Sequence, residues 1–286
     1  MRSSMIVLAM FGVAVQGCAT NTAPTNTATA AALTDAPPAY ARSAKDTLRF
    51  HEVTSTEVRI TTPQGDVTVP VEHDATIGVV FLPGDTARAW YEKLALSATS
   101  PAGVMAPETG PALRQPFLLN VDGRGKTRVI TAPKFPASFE GITDLAHQFD
   151  DFFLRLPAQP LKLGLAWTDT STRTDSGGGK WMQSSTVAQY RVDRDTMVAG
   201  EAAMVVLVKQ QSTINTEGPV PGQDMRIQSQ MSGGDEGWFL FAPKSGRMLG
   251  RQRKGSFSGE SNISGAAGSM NLSQTMTYTN RIDLIR

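Results

Sequence analysis

Apolar and polar positions alternate along most of this chain. Leu48 to Ile60 places apolar groups at every second position near its two ends. A Pro-Gln-Gly-Asp turn at 63–66 follows, and Val67 to Val71 returns in the same rhythm. Further runs cover 76–82, 90–98, 117–121 and 127–131, then 165–174, 182–192, 202–214, 225–231, 238–242, 247–257 and 270–285. Gly, Pro, Asn and Asp punctuate them. Period two between turn residues predicts strands, and the polar Thr, Ser, Gln and Arg between apolar residues suit antiparallel sheets with one wet face. The expected fold is therefore mainly β, with curved antiparallel sheets forming a half-barrel or two duplicated β units.

One segment breaks the rhythm. Ile142, Leu145, Ala146, Phe149, Phe152, Phe153 and Leu156 recur at the 3.6-residue period, opposed by Asp144, Gln148, Asp151 and Arg155. Such a stripe predicts an amphipathic helix over about 142–156, stopped by Pro157 and Pro160. It would act as a plug or lid over an apolar cavity, with Phe149, Phe152 and Phe153 near a ligand, or simply cover one sheet face. The helix divides the body into a first β unit at 46–140 and a second at 158–286. Phe117–Ile130 and Trp238–Arg251 both read as apolar strand, Gly-containing turn and basic strand. That likeness suggests a duplication.

Composition narrows the function. The 286 residues carry 27 basic and 26 acidic side chains, without the basic excess that nucleic-acid binding requires. The one cysteine, Cys18, excludes a disulfide framework and a cysteine zinc site, and three scattered histidines offer no metal cluster. No cofactor is expected.

Gly123-Arg-Gly-Lys-Thr127 lacks the first glycine of a phosphate loop and is followed by a strand, so it reads as a hairpin turn. No G-x-S-x-G elbow and no S-x-x-K motif occurs. A serine hydrolase would need His51, His73 or His147 to meet a serine and a carboxylate from elsewhere in the chain. Lys244, Arg247, Arg251, Arg253 and Lys254 form a run without an intervening acid. It is a candidate contact for anionic headgroups, or the wet face of a hairpin.

The N-terminus speaks of location. Arg2 precedes an apolar run from Met5 to Val15, too short to cross a hydrocarbon core of roughly 30 Å but the right length for a signal-peptide core. Val15-Gln-Gly-Cys18 resembles the bacterial lipobox, in which the cysteine is acylated and becomes the first residue after cleavage. The resemblance implies a signal peptide at 1–17 and a lipid anchor, palmitate included, at Cys18. Ala19, where inner-membrane retention favours Asp, implies the outer membrane, its periplasmic face rather than the cell surface. Residues 18–45, rich in Thr, Ala, Asn and Pro, read as a flexible tether.

Leu156-Pro-Ala-Gln-Pro-Leu-Lys-Leu-Gly-Leu-Ala-Trp-Thr168 resembles a phrase found in a family of uncharacterised bacterial envelope lipoproteins with a duplicated β region. Gly237-Trp-Phe-Leu-Phe-Ala-Pro-Lys-Ser-Gly-Arg-Met248 fits that family's ending, while Leu165 stands where the family has Asp. A looser fold analogy is to the half-barrels of lipoprotein-localisation factors, which curl a sheet around acyl chains. Together these imply a non-enzymatic outer-membrane lipoprotein. It would bind a lipid or other apolar ligand, or act as an interaction module for an envelope protein. The alternative is a periplasmic or surface hydrolase.

Overall fold

A computed structural model describes residues 36–285, apart from 44–45, 102, 136–138, 140–144, 178, 221–223 and 267. The signal segment and Cys18 lie outside the described residues. Twelve strands are formed: β1 (Leu48–Thr62), β2 (Gly65–Leu82), β3 (Thr86–Ser100), β4 (Gly103–Met105), β5 (Phe117–Val121), β6 (Thr127–Thr131), β7 (Ala166–Gly177), β8 (Lys180–Val198), β9 (Glu201–Pro219), β10 (Met225–Ala242), β11 (Arg247–Gly265) and β12 (Gly268–Ile285). The fold is mainly β, as the alternation predicts.

All twelve belong to one sheet, in the order β6-β5-β3-β2-β1-β12-β11-β10-β9-β8-β7, with β4 attached to β3. Every pairing is antiparallel, including that of β1 with β12, which joins the first and last strands. The sheet is curved and does not close. Its two edges are β6 and β7, and the segment between them runs from one edge to the other.

Several strands are longer than the pattern suggests, and two of them join separate runs. Runs 67–71 and 76–82 are one strand, β2, and runs 225–231 and 238–242 are one strand, β10. Gly233, Gly234 and Gly237 read as a break but lie inside β10. On the inner face of β10 and β11, each glycine faces a bulky residue: Gly233 faces Phe257, Gly237 faces Arg253, Gly255 faces Asp235 and Gly259 faces Met231. A Cβ on Gly237 would lie 1.9 Å from the Gln252 carbonyl, and one on Gly259 1.9 Å from that of Gln230. Glycine here admits a close backbone approach, and the larger partner covers the gap.

The expected helix at 142–156 is not formed in its described part. Residues Leu145–His147 make one 3-10 turn, a turn follows, and the chain then runs irregularly to the start of β7. Its carbonyls are taken by donors from outside the segment. Arg251 Nη1 donates to Asp151 O (2.9 Å) and Phe152 O (3.0 Å), and Tyr40 Oη to Leu154 O (3.1 Å). Trp167 Nε1 donates to Arg155 O (3.0 Å) and Arg124 Nε to Leu156 O (2.9 Å). Asp151 sits at φ 58°, a left-handed conformation that interrupts a helix. Leu145, Phe149, Phe152, Phe153 and Leu156 of the stripe are nonetheless buried.

Part of the expected tether also belongs to the body. Tyr40 is buried in the main core. The N–H of Tyr40 bonds Gly123 O (3.0 Å) and that of Ala41 bonds Gly246 O (2.9 Å), so the two similar hairpins β5–β6 and β10–β11 both meet the arm at their turns. Gly246 is at φ 59°, and a Cβ there would lie 2.4 Å from the Ala41 nitrogen.

Candidate functional site

The concave face of the sheet is occupied by the chain itself. Phe149, Phe152 and Phe153, expected beside a ligand, are almost wholly buried in the main core. Phe149 packs edge-on to Phe117 (4.7 Å between centroids), Phe152 to Phe50 (5.3 Å) and Phe153 to Tyr40 (5.2 Å). The same cluster takes Phe81 and Ile77 from one arm of the sheet and Val206, Phe239 and Phe241 from the other. The crossing segment is thus the filling that lets a single curved sheet bury its inner face. The recess that Phe153 borders, between the segment and β7–β11, holds only about 10 Å³.

Beside this apolar filling lies a buried polar layer that the sequence reading did not foresee. Glu52 accepts from Gln148 Nε2 (3.0 and 3.1 Å) and from Asn280 Nδ2 (2.7 Å), while Arg251 Nε donates to Asn280 Oδ1 (3.1 Å). Arg251 also lies over the Phe152 ring, 5.4 Å from its centroid. Burial pulls its guanidinium down to about 10, with Arg253 adding to the effect and Glu52 opposing it. Further along, Asp235 accepts from Arg253 Nε (2.9 Å) and Nη2 (2.6 and 2.7 Å), and from the Tyr278 hydroxyl. Burial holds the Tyr278 phenol well above its ordinary range.

The basic run is therefore not one surface. Arg251 and Arg253 turn inward, Lys254 pairs with Glu236 (3.2 Å), Arg247 lies 3.6 Å from Asp46, and Lys244 is exposed in the turn. Strand alternation carries the signal: Arg251 and Arg253 share parity with the buried Phe257.

An ionic seam ties the crossing segment to β7. His147 Nε2 lies 2.7 Å from Asp175, Arg173 2.7 Å from Asp150, and Arg155 3.0 Å from Asp169. Arg155 also pairs with Asp151. The inner face of β7 thus carries Asp169, Ser171, Arg173 and Asp175 where other strands carry apolar groups.

Of the remaining histidines, His51 is exposed and 3.2 Å from Asp74. Ser55, further along that face, donates instead to Glu72 (2.8 Å). His73 is buried edge-on to Tyr91, and its Nε2 has no hydrogen-bond partner among the described residues. Burial lowers its pKa, against the opposing charges of Glu52 and Asp74. A histidine depressed in the folded state takes up its proton more readily when unfolded, so its contribution is full above the ordinary value of about 6.5 and is lost as pH falls through the folded value. Urea midpoints taken from neutral to mildly acidic pH should fall less steeply for His73→Leu than for the native chain, whatever the offset between them at neutral pH.

A groove of about 730 Å³ crosses β7–β10 on the opposite face of the sheet. The strand register places Ala166, Arg191, Leu207 and Trp238 along one side and Thr168, Gln189, Lys209 and Glu236 along the other. Trp238 is buried, and its indole N–H has no partner among the described residues. Ala203, Val205, Leu240, Ala242 and Leu249 continue the apolar side toward the β10–β11 turn.

No family model matches the chain. No curated protein does either. Among solved structures, it is similar to an outer membrane protein of Vibrio cholerae, OmpT with loop L8 deleted, at 8% identity over 82% of this chain and 99% of that one, with a TM-score of 0.21. A likeness that low transfers neither fold nor function.

Proposed function

We propose that this chain is a non-catalytic lipoprotein of the bacterial outer membrane, anchored through Cys18 on the periplasmic face and acting as an envelope interaction module. The observation that supports it is the filled concave face. A carrier of acyl chains needs an apolar hollow of some hundreds of Å³, and here Phe149, Phe152 and Phe153 take up that space. The lipobox at 15–18 supports the anchor. The exposed His51–Asp74 pair, with Ser55 committed to Glu72, gives little support to a hydrolase.

A second reading, the binding of an apolar ligand, is favoured by the groove beside Leu207 and Trp238. One experiment addresses both. The chain is produced in a Gram-negative periplasm with Cys18→Ser, purified without detergent, and weighed under native and denaturing conditions. The interaction-module reading expects one mass in both, unchanged after incubation with envelope phospholipids. A lipid adduct that persists in Phe152→Ala and disappears in Trp238→Ala would overturn it in favour of the groove. Labelled palmitate that enters the native chain but not Cys18→Ser supports the anchor, and equal labelling of both overturns it.

A further inference from the structure

The two edges of the sheet are unequal. The β6 edge is five residues long, its partner β5 is bulged at Leu118/Leu119, and Asp150 Oδ1 accepts from the Val129 N–H (3.1 Å). Pro133 follows shortly after. These are devices that close a sheet edge to further pairing. The β7 edge has none of them. It is 12 residues long, contains no proline, and pairs with β8 from Ala166 to Gly177 without a bulge. Among the described residues, no backbone hydrogen bond reaches its outer side. Its outward side chains, Thr168, Thr170, Thr172, Thr174 and Ser176, are exposed. Asp169 and Arg173 keep 39% and 28% of their side-chain surface despite their bonds to the crossing segment.

We propose that β7 is a docking edge for a second copy of this chain, the two β7 strands pairing antiparallel about a two-fold axis at Ser171. Self-complementarity selects both the occupant and the register. With Ser171 on the axis, Asp169 stands opposite the partner's Arg173, and Arg173 opposite the partner's Asp169. Thr168 then faces the partner's Thr174, and Thr170 the partner's Thr172. Opposite charges and threonine pairs are favourable directly across strands, whereas like charges there are not. An axis at Thr172 would set Asp169 against the partner's Asp175, and an axis at Thr170 would leave neither Asp169 nor Arg173 opposite a charge. Only registers that shift the axis by whole residues keep inner face beside inner face, so these are the competing choices. Because the pairing is isologous and the β6 edge is blocked, association stops at two copies rather than continuing into a fibre. The interface goes beyond the proposed envelope role and holds whether or not Cys18 is acylated.

The test uses the chain from residue 18 onward with Cys18→Ser, so that acyl chains cannot hold copies together. Sedimentation velocity over a concentration series should show a monomer–dimer equilibrium. D169R sets arginine against arginine and R173D sets aspartate against aspartate, so each should weaken the dimer by about tenfold or more. The double variant D169R/R173D should restore it. Since each single change also disturbs a bond to Arg155 or Asp150, a second measurement leaves those charges alone. Ser171→Cys, then the only cysteine, should cross-link to itself with a short bismaleimide, and Thr174→Cys should not. A native sequence that stays monomeric throughout overturns the proposal. So does a dimer that survives both single reversals, or one that cross-links through Thr174→Cys but not Ser171→Cys.

Discussion

Replacing Asp235 by Ala should destabilise the fold by about 3–5 kcal/mol, the range for removing one member of a buried ion pair. Three adjacent strands build this buried group. Asp235 lies on β10 opposite Gly255 of β11, which in turn lies opposite Tyr278 of β12. With no side chain at 255, the carboxylate and the phenol meet across the middle strand. A Cβ on Gly255 would stand 2.5 Å from that of Asp235 and 2.7 Å from the Tyr278 ring. Arg253 completes the group from β11, opposite Gly237.

Removing the carboxylate leaves a buried guanidinium that has lost three bonds and a buried hydroxyl that has lost its acceptor. In the native chain Asp235 raises the Arg253 pKa against the burial that would lower it. Without the carboxylate the guanidinium, whose own pKa is too high for it to shed its proton, stays charged and unpaired. Asp235→Asn keeps the shape and one acceptor oxygen, and it should cost less than Asp235→Ala. Urea denaturation at neutral pH checks both. Equal midpoints for Asp235→Ala and the native chain would mean that the triad adds nothing to stability.

How far this was legible in the sequence can be judged from particular residues. Alternation identified most strands because a half-buried sheet imposes it residue by residue, as in Leu48 to Ile60. It failed at Gly233 and Gly234, where glycine serves as a point of close approach inside a strand rather than as a turn. The apolar stripe from Leu145 to Leu156 correctly marked a buried segment. It could not reveal that Arg251, Tyr40, Trp167 and Arg124, up to 114 residues away in sequence, would capture the carbonyls that a helix needs for itself. Burial follows from local hydrophobicity, whereas helicity here was decided by distant donors. Arg251 and Arg253 look like surface charges in the sequence because charge is usually wet. Their parity with Phe257, and Asp235 on the preceding strand, were the cues to an inward pair. The order of the sheet, with β12 against β1, had no local signature at all.

The second large effect concerns the crossing segment. Phe152→Ala should cost about 3–5 kcal/mol, the range for removing a buried phenylalanine ring. For a body of this size that lowers the melting temperature on the order of 10 °C. Phe152 contacts Phe50 (5.3 Å), Phe149 (5.6 Å) and Phe153 (5.1 Å), and its loss also takes away the ring beneath Arg251. The hydrogen bonds from Arg251 to the carbonyls of Asp151 and Phe152 do not depend on the side chain, so the segment should stay in place and leave a dry hollow where the ring was. Such a hollow binds small apolar molecules, and a ligand that binds only the folded state raises its stability. Thermal melts in saturating benzene should therefore recover part of the loss in Phe152→Ala and leave the native chain unchanged. If the segment were instead a lid resting over an existing cavity, benzene would raise the native melting temperature as well, and the truncation would cost far less than a filled core demands.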